Sequence, residues 1–359
     1  MQIKFGELFS GPGGMALGAH NSASRFDEID LVHSWANDYD SSTCDTYIRN
    51  IPGASHTSVH CADVASLPVE NLETIDGFAF GFPCNDFSQV GQKRGTDGVF
   101  GPLYTHGIRV INSHDPKWFV AENVGGIRSA NSGNAFKQIL QDLAQSGNYG
   151  GYRLTPHLYR FEQYGVPQAR HRIVIVGVRN DQKFEFSVPA TGPYLGLDVS
   201  VANCIESPPI PADAPNHERT KQNPRVVERL DHIKPGQNAF NAELPERLRL
   251  KVEGAKISQI YKRLDPSKPS YTVTGSGGGG THVYHWAESR ALTNRERARI
   301  QTFPDWFVFE GTKESVRRQI GMAVPVRGAE VIFDSLFNSM LNREYPRVEP
   351  NISIEPSGA

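Results

Sequence analysis

Phe78-Ala79-Phe80-Gly81-Phe82-Pro83-Cys84-Asn85-Asp86-Phe87-Ser88 is the stretch on which the reading of the whole chain turns. The run from Ile75 to Phe82 is short, apolar and bounded by turn residues, the pattern of a buried parallel strand. Pro83 and Cys84 then stand at its carboxyl end, the edge where open α/β sheets place their ligands. A cysteine beside Phe80, Phe82 and Phe87 can be a small buried hydrophobe. It can equally be a nucleophile delivered into a polar loop, and the remainder of the chain favours that second reading.

Upstream, Ile3 to Phe9 reads as a first strand, followed by the glycine cluster Gly11, Gly13, Gly14 and Gly18 and a helix through Met15, Ala16 and Leu17. Glycines in such a turn let backbone approach a ligand, and the helix N-terminus offers free N–H groups. A second strand, Leu31 to Ala36, runs into Asn37-Asp38-Tyr39, with Asp38 24 residues after Gly14. An acid in that place is suited to holding a ribose hydroxyl pair, and Tyr39 can stack on adenine. The bland alternatives are a helix cap for Asp38 and a packing aromatic for Tyr39. Asp63, after a weaker strand near Val59, either binds the adenine edge or caps a turn.

Downstream of Cys84, a loop through Gly98, a helix from about Leu103 to Asn112 and a strand from Trp118 to Ala121 form one right-handed crossover ending in Glu122-Asn123-Val124. Cys84 and Glu122 thereby end neighbouring parallel strands. A thiol and a carboxylic acid on one edge suit nucleophilic attack on an activated ring or carbonyl, with the acid placed to protonate it. Two β-rich runs, Leu154 to Tyr159 and Ile173 to Val178, flank Gln168-Ala169-Arg170-His171-Arg172. If the second run returns antiparallel, Arg172 faces Cys84 and Glu122. Surface charge is the ordinary fate of such arginines.

The 359 residues are 38% hydrophobic and 21% charged, with a net charge of −2, so whole-chain disorder is excluded and any nucleic-acid partner must be met by local charge. Cys44, Cys61, Cys84 and Cys204 are widely spaced, with no pair suggesting a metal site, and a reducing interior is expected. No apolar run approaches the roughly 18 residues of a membrane span, and the N-terminus lacks a signal-peptide core. A cytoplasmic, membrane-free protein is the expectation.

Five segments in order, FSGPGG at Phe9 to Gly14, GFPCNDFS at Gly81 to Ser88, ENV at Glu122 to Val124, QARHR at Gln168 to Arg172 and GMAVP at Gly321 to Pro325, resemble the cytosine-C5 DNA methyltransferases. The resemblance covers residues 3 to 180 and 270 to 340. It implies an S-adenosylmethionine-dependent, Rossmann-like α/β fold: a mixed, mostly parallel sheet with helices on both faces, plus a smaller target recognition domain. It implies that the Cys84 thiolate adds to C6 of cytosine, that Glu122 serves N3, and that Arg172, with Arg170 near it, binds the O2 side. Cofactor contacts carry over to Phe9, Gly11, Gly13, Gly14, Asp38, Tyr39, Asp63, Val64, Pro83, Leu103, Met322 and Ala323. DNA contacts carry over to Asn85, Ser88, Gln168, Thr272, Gly277 and Gly278. Two residues depart from the family pattern: Asn85 stands where glutamine is usual, and Met322 where asparagine is usual. Met322 removes a polar group near the cofactor's carboxylate, so altered cofactor affinity is expected.

From about Asp181 to Ser270 prolines become frequent and periodicity weakens. Between Arg219 and Lys268 there are 12 Lys or Arg against 6 Asp or Glu, which reads as a solvated basic face or a phosphate-binding surface. Thr293-Asn294-Arg295-Glu296 has capping-box spacing, predicting a helix to about Thr302, and Ala329 to Leu341 should be a helix packing on the first strand. The expected division is 1–180 catalytic and cofactor-binding, 181–284 target recognition, 285–343 a return to the catalytic domain, and 344–359 a loosely ordered tail. The expected partner is double-stranded DNA, with a cognate restriction endonuclease acting on the same site and a monomeric bacterial enzyme. Alternatives are a tRNA cytosine-C5 methyltransferase, an inactive DNA-binding relative, and, furthest behind, a nicotinamide enzyme, which would explain neither the cysteine nor the arginines.

Overall fold

The computed structural model describes residues 1–82, 103–250, 258–275, 277 and 280–353. They divide into two compact units, the first made of 1–160, 171–193 and the residues from 328, the second of 161–170 and 194–327.

The first unit is built on seven strands: β1 (Gln2–Leu8), β2 (Asp30–Asp38), β3 (Val59–Cys61), β4 (Gly77–Gly81), β5 (Trp118–Val124), β6 (Tyr152–Arg160) and β8 (His171–Arg179). Their order is β3-β2-β1-β4-β5-β8-β6. Pairings from β3 through β5 are parallel, and β8 runs antiparallel to both β5 and β6. This is the mixed, mostly parallel sheet expected from the sequence. Strand order reverses between β1 and β4, and ligands of such sheets bind outside the carboxyl ends at that point.

Alternation along β4 sends Phe78 and Phe80 to one face, where with Phe82 and Phe119 they join Val110 and Ile111 of α3 (Tyr104–His114) and Ile139, Leu140 and Leu143 of α4 (Asn134–Gln145). Elsewhere Phe5 of β1 and Trp118 of β5 meet Phe333 of α9 (Val326–Met340), with ring centroids 6.0 and 5.8 Å apart. Phe5, Trp118 and Phe333 are fully buried, and burial of each contributes about 2 kcal/mol or more. The last helix therefore packs on the first strand, as its periodicity predicts. α1 (Gly14–Ala23) and α2 (Ser41–Asn50) follow β1 and β2.

The described part of the tail, to residue 353, is more ordered than its composition suggests. The strand β11 (Arg347–Val348) pairs antiparallel with β9 (Val188–Pro189), Tyr345 Oη donates to the Ser187 carbonyl at 2.8 Å, and Ile352 is buried in the core. Asn351 accepts from the Leu158 N–H at 2.8 Å and donates to the same residue's carbonyl. A few specific contacts do here what apolar periodicity does elsewhere, and composition does not reveal them.

In the second unit β7 (Gln168–Ala169) pairs with β10 (Ser270–Tyr271), and the helices are α5 (Val201–Glu206), α6 (Pro224–Asp231), α7 (Asn294–Ile300) and α8 (Lys313–Met322). α7 starts with the predicted capping box, Thr293 and Glu296 bonding reciprocally. The sequence grouped α7 and Gly321–Pro325 with the return to the catalytic domain. They pack inside the second unit because buried amides hold them there: Gln168 Nε2 donates to Gln301 Oε1 at 2.8 Å, and Gln301 Nε2 to the Ile320 carbonyl at 2.7 Å.

Candidate active site

The first unit carries the glycine turn at the end of β1. Phe9, Gly11 and Gly13 all have positive φ, at 52°, 55° and 96°. Gly13 is required twice over, by that left-handed φ and because a Cβ would stand 2.7 Å from Ile51 Cδ1. The N-terminus of α1 has no side-chain cap, which suits backbone donors kept for a ligand.

Asp38, the last residue of β2, is anchored to this turn. Its Oδ2 accepts from the Gly11 N–H at 3.0 Å and its Oδ1 from the Asp40 N–H at 3.1 Å. Burial raises its pKa, while those two bonds pull it down. Asp40, not Asp38, caps α2. Tyr39 is 71% exposed, so its ring has not been spent on packing. Asp63 caps the short helical turn Val64–Ser66 through the Ala65 N–H at 2.9 Å. Val64 is buried, its carbonyl accepting from Arg109, and Leu103 packs partly buried against the core.

Glu7, which the sequence reading passed over, lies in the same region. It is 1% exposed, accepts from Tyr47 Oη at 3.1 Å, and its other oxygen has no hydrogen-bond partner. Burial pushes its carboxyl up to about 8. Tyr47 also borders the Gly13 turn, so the tyrosine that bonds Glu7 packs against the glycines. An acid in the buried carboxyl-terminal half of β1, between Phe5 and Leu8, was the available signal.

On the neighbouring strands Gly81 of β4 stands beside Glu122 of β5. A Cβ on Gly81 would lie 3.4 Å from Glu122 Oε2. Arg172, on β8 opposite Val124, ion-pairs with Glu122 through Nε at 2.8 Å, both side chains 13% exposed. Arg172 Nη1 is also tied to the His171 carbonyl. Asn123 Nδ2 holds the Phe82 carbonyl at 2.8 Å, fixing the end of β4 against β5. Pro83, Cys84, Asn85 and Ser88 follow Phe82 and, like Gly278, lie outside the described residues. The antiparallel return thus brings Arg172 to Glu122, at the edge where β4 ends.

In the second unit several assigned residues are committed to structure. Arg170, expected at the reacting centre, is 2% exposed and donates to the carbonyls of Val273, Gly321 and Met322 at 3.3, 3.0 and 3.4 Å. Three backbone acceptors surround its guanidinium, which makes it a brace. Gln168 is fully buried between Gln301 and the Val273 N–H, and Thr272 Oγ1 donates to the Ala169 carbonyl, so neither offers its polar group to DNA here. Ala323 is buried, Met322 is 61% exposed, and Gly277 lies against Arg317.

The C-5 cytosine-specific DNA methylase family model matches residues 3–338. This chain belongs to that family. Type II methyltransferase M.BbvI of Brevibacillus brevis is 50% identical over 370 residues, spanning 100% of this chain and 97% of that protein. M.NgoFVII of Neisseria gonorrhoeae is 36% identical, spanning 95% and 88%. Among solved structures, a candidate DNA modification methyltransferase encoded within an Escherichia coli prophage has a TM-score of 0.71 at 25% identity, covering 95% of this chain and 100% of that one. The methylase is a DNA (cytosine-5-)-methyltransferase with the mixed α/β methyltransferase fold. Among its described residues no helix is long and apolar enough to cross a membrane.

Proposed function

We propose that the methylase modifies C5 of a cytosine flipped out of a short duplex sequence, using Cys84 as nucleophile and the Glu122–Arg172 pair to hold the base. The observation that carries this is the 2.8 Å ion pair at the end of β5 and the start of β8, beside the strand that leads into Cys84. Flipping costs roughly a few kcal/mol of stacking and pairing. Addition of the Cys84 thiolate to C6 breaks the ring's aromaticity and moves electron density to C5. Glu122 donates to N3 so that negative charge does not accumulate on the ring, and Arg172 holds O2. Loss of the C5 proton to a base then expels the thiolate and restores the aromatic ring. A free thiol has a pKa of about 8.5, so the site must favour the thiolate or take its proton during attack.

The turn fits S-adenosylmethionine: an anchored acid at the end of β2, an exposed tyrosine next to it and glycines with positive φ lie there, and a buried carboxyl with an unpaired oxygen is bonded to Tyr47, which borders it. When bound, the cofactor supplies the methyl group. Asp38 would hold its ribose, Tyr39 its adenine, Phe9, Gly11, Gly13 and Gly14 its methionine part, with Asp63, Val64, Pro83 and Leu103 completing the site on the first unit. The second unit, with Gly277, would carry target recognition, while Thr272 supports it through its bond to the Ala169 carbonyl. The type II names of the relatives support a role as the modification half of a restriction system, with a partner endonuclease reading the same site, in a cytoplasmic monomer.

Methyl transfer from labelled S-adenosylmethionine to mixed-sequence DNA and to tRNA, with Cys84→Ala alongside, tests this reading. Label at C5 within one DNA motif, absent in the variant, is expected. Label confined to tRNA, or retained by Cys84→Ala, would overturn it.

A further inference from the structure

Two arginines of the second unit, Arg297 buried and Arg317 half-buried, stand together with only one weak, solvent-exposed counter-charge between them. Arg297 of α7 is 1% exposed, and its Nε and Nη1 have no hydrogen-bond partner, while Nη2 reaches only His282 Nδ1 at 3.4 Å. Arg317 of α8 is 11% exposed in its side chain, and its Nε is unpartnered too. The two guanidinium groups repel one another, and burial together with Arg317 lowers the Arg297 pKa to about 10. Nearby carboxylates neutralise the pair poorly: Glu296 is bound by Arg290 and the capping box, and Glu314, 84% exposed, makes only a long ion pair of 3.9 Å with Arg317 that solvent screens. The His282 ring is held neutral, its pKa lowered to about 4 mainly by burial, so it brings no relief of charge. The aromatic rings of Tyr271 and Tyr284 stand near Arg297, and neither is an anion at neutral pH.

An unpaired buried charge is costly, and a group of donors converging without an acceptor calls for an anion. Gly277 marks the side from which it comes. A Cβ there would stand 2.4 Å from Arg317 Nε and 2.9 Å from His282 Cε1, so Gly277 presents bare backbone to Arg317 and His282. We propose that Arg297 and Arg317 bind one phosphate diester of the DNA backbone beside Gly277. Planar guanidinium groups match phosphate oxygens well. The site fixes the register of the duplex on the second unit and reads no base. The inference rests on DNA being the substrate.

The test uses the full chain and a duplex carrying its methylation site. Arg317→Gln, Arg297→Gln and the double variant are measured for DNA affinity against salt, with cofactor affinity and melting temperature as controls of folding. Each single variant should lower the log–log salt slope by about one, and the double variant by no more, since both arginines serve one phosphate. Neutral methylphosphonates placed singly along the duplex should expose one position that weakens wild-type binding and has no effect on Arg317→Gln. Unchanged slopes, or identical methylphosphonate profiles in wild type and variant, would overturn the site. Stabilisation by inorganic phosphate with no such position in DNA would overturn the assignment to the duplex. Wild-type methyl transfer to the unmodified duplex is followed in parallel, and its absence would remove the substrate reading itself.

Discussion

Glu122 and Glu7 are both acids at the ends of sheet strands, yet their surroundings prepare them for different tasks. Glu122 keeps a partner, Arg172, and both side chains retain some exposure at the edge of the sheet. Glu122→Gln preserves the shape and a hydrogen-bond donor while removing the transferable proton. Single-turnover methylation should slow by about 10²–10⁴-fold with cofactor affinity unchanged. Glu7 has an unpaired oxygen, and its folded pKa of about 8 is raised from an ordinary value near 4.5. The folded state therefore prefers the neutral acid. Stability linked to this group is fully present below pH 4.5 and is lost as pH rises toward 8, by at most about 5 kcal/mol. Glu7→Gln should be the more stable protein at pH 8 and no more stable at pH 4, as read from denaturant titrations at both values.

At the scale of elements, the junctions matter more than the helices and strands themselves. Gly321, in the last turn of α8, lies so close to the segment before Gly277 that a Cβ would fall 2.0 Å from the Gly275 nitrogen and 2.2 Å from the Thr274 carbonyl carbon. Backbone cannot move aside as a flexible side chain can. Gly321→Ala should destabilise the protein by about 1–3 kcal/mol, the usual cost of overpacking, lowering the melting temperature and disturbing the Arg170 bonds to Gly321 and Met322. A melting temperature equal to wild type would show that the segment yields instead. In the first unit the corresponding junction is Asn123, whose amide fixes Phe82 and so the start of the segment that leads to Cys84.

Across the whole molecule, buried and half-buried histidines shape the response to acid. Burial lowers His20, His33, His157 and His282 to about 4 from 6.5. Their folded forms are neutral, so the unfolded chain binds protons first as pH falls below 6.5. Their contribution to stability is present above that value and is lost on descending to about 4. Melting temperatures should therefore drop over this window, and replacing His20 and His157 by glutamine should flatten the fall. Glu7 acts in the opposite sense, and because four histidines outweigh one carboxyl where the two windows overlap, these groups place the wild-type optimum near pH 6.5.

The sequence by itself determined whatever short-range chemistry repeats or punctuates. The strands ending at Leu8, Asp38 and Gly81, the glycine turn, the capping box at Thr293 and the helix that packs Phe333 on Phe5 were legible because apolar periodicity and turn residues act within a few positions. The segments around Cys84, Glu122 and Arg172 pointed to the family for the same reason. Tertiary structure decided where long-range polar partners lie. It turned Arg170 and Gln168 from presumed site residues into buried braces, because their acceptors come from residues more than a hundred positions away. It tied down the tail as far as residue 353 through Tyr345, Asn351 and Ile352, and it revealed unpartnered polar atoms on Glu7, Arg297 and Arg317. A residue type announces which bonds it can make, and only the fold supplies or withholds the other half of each bond.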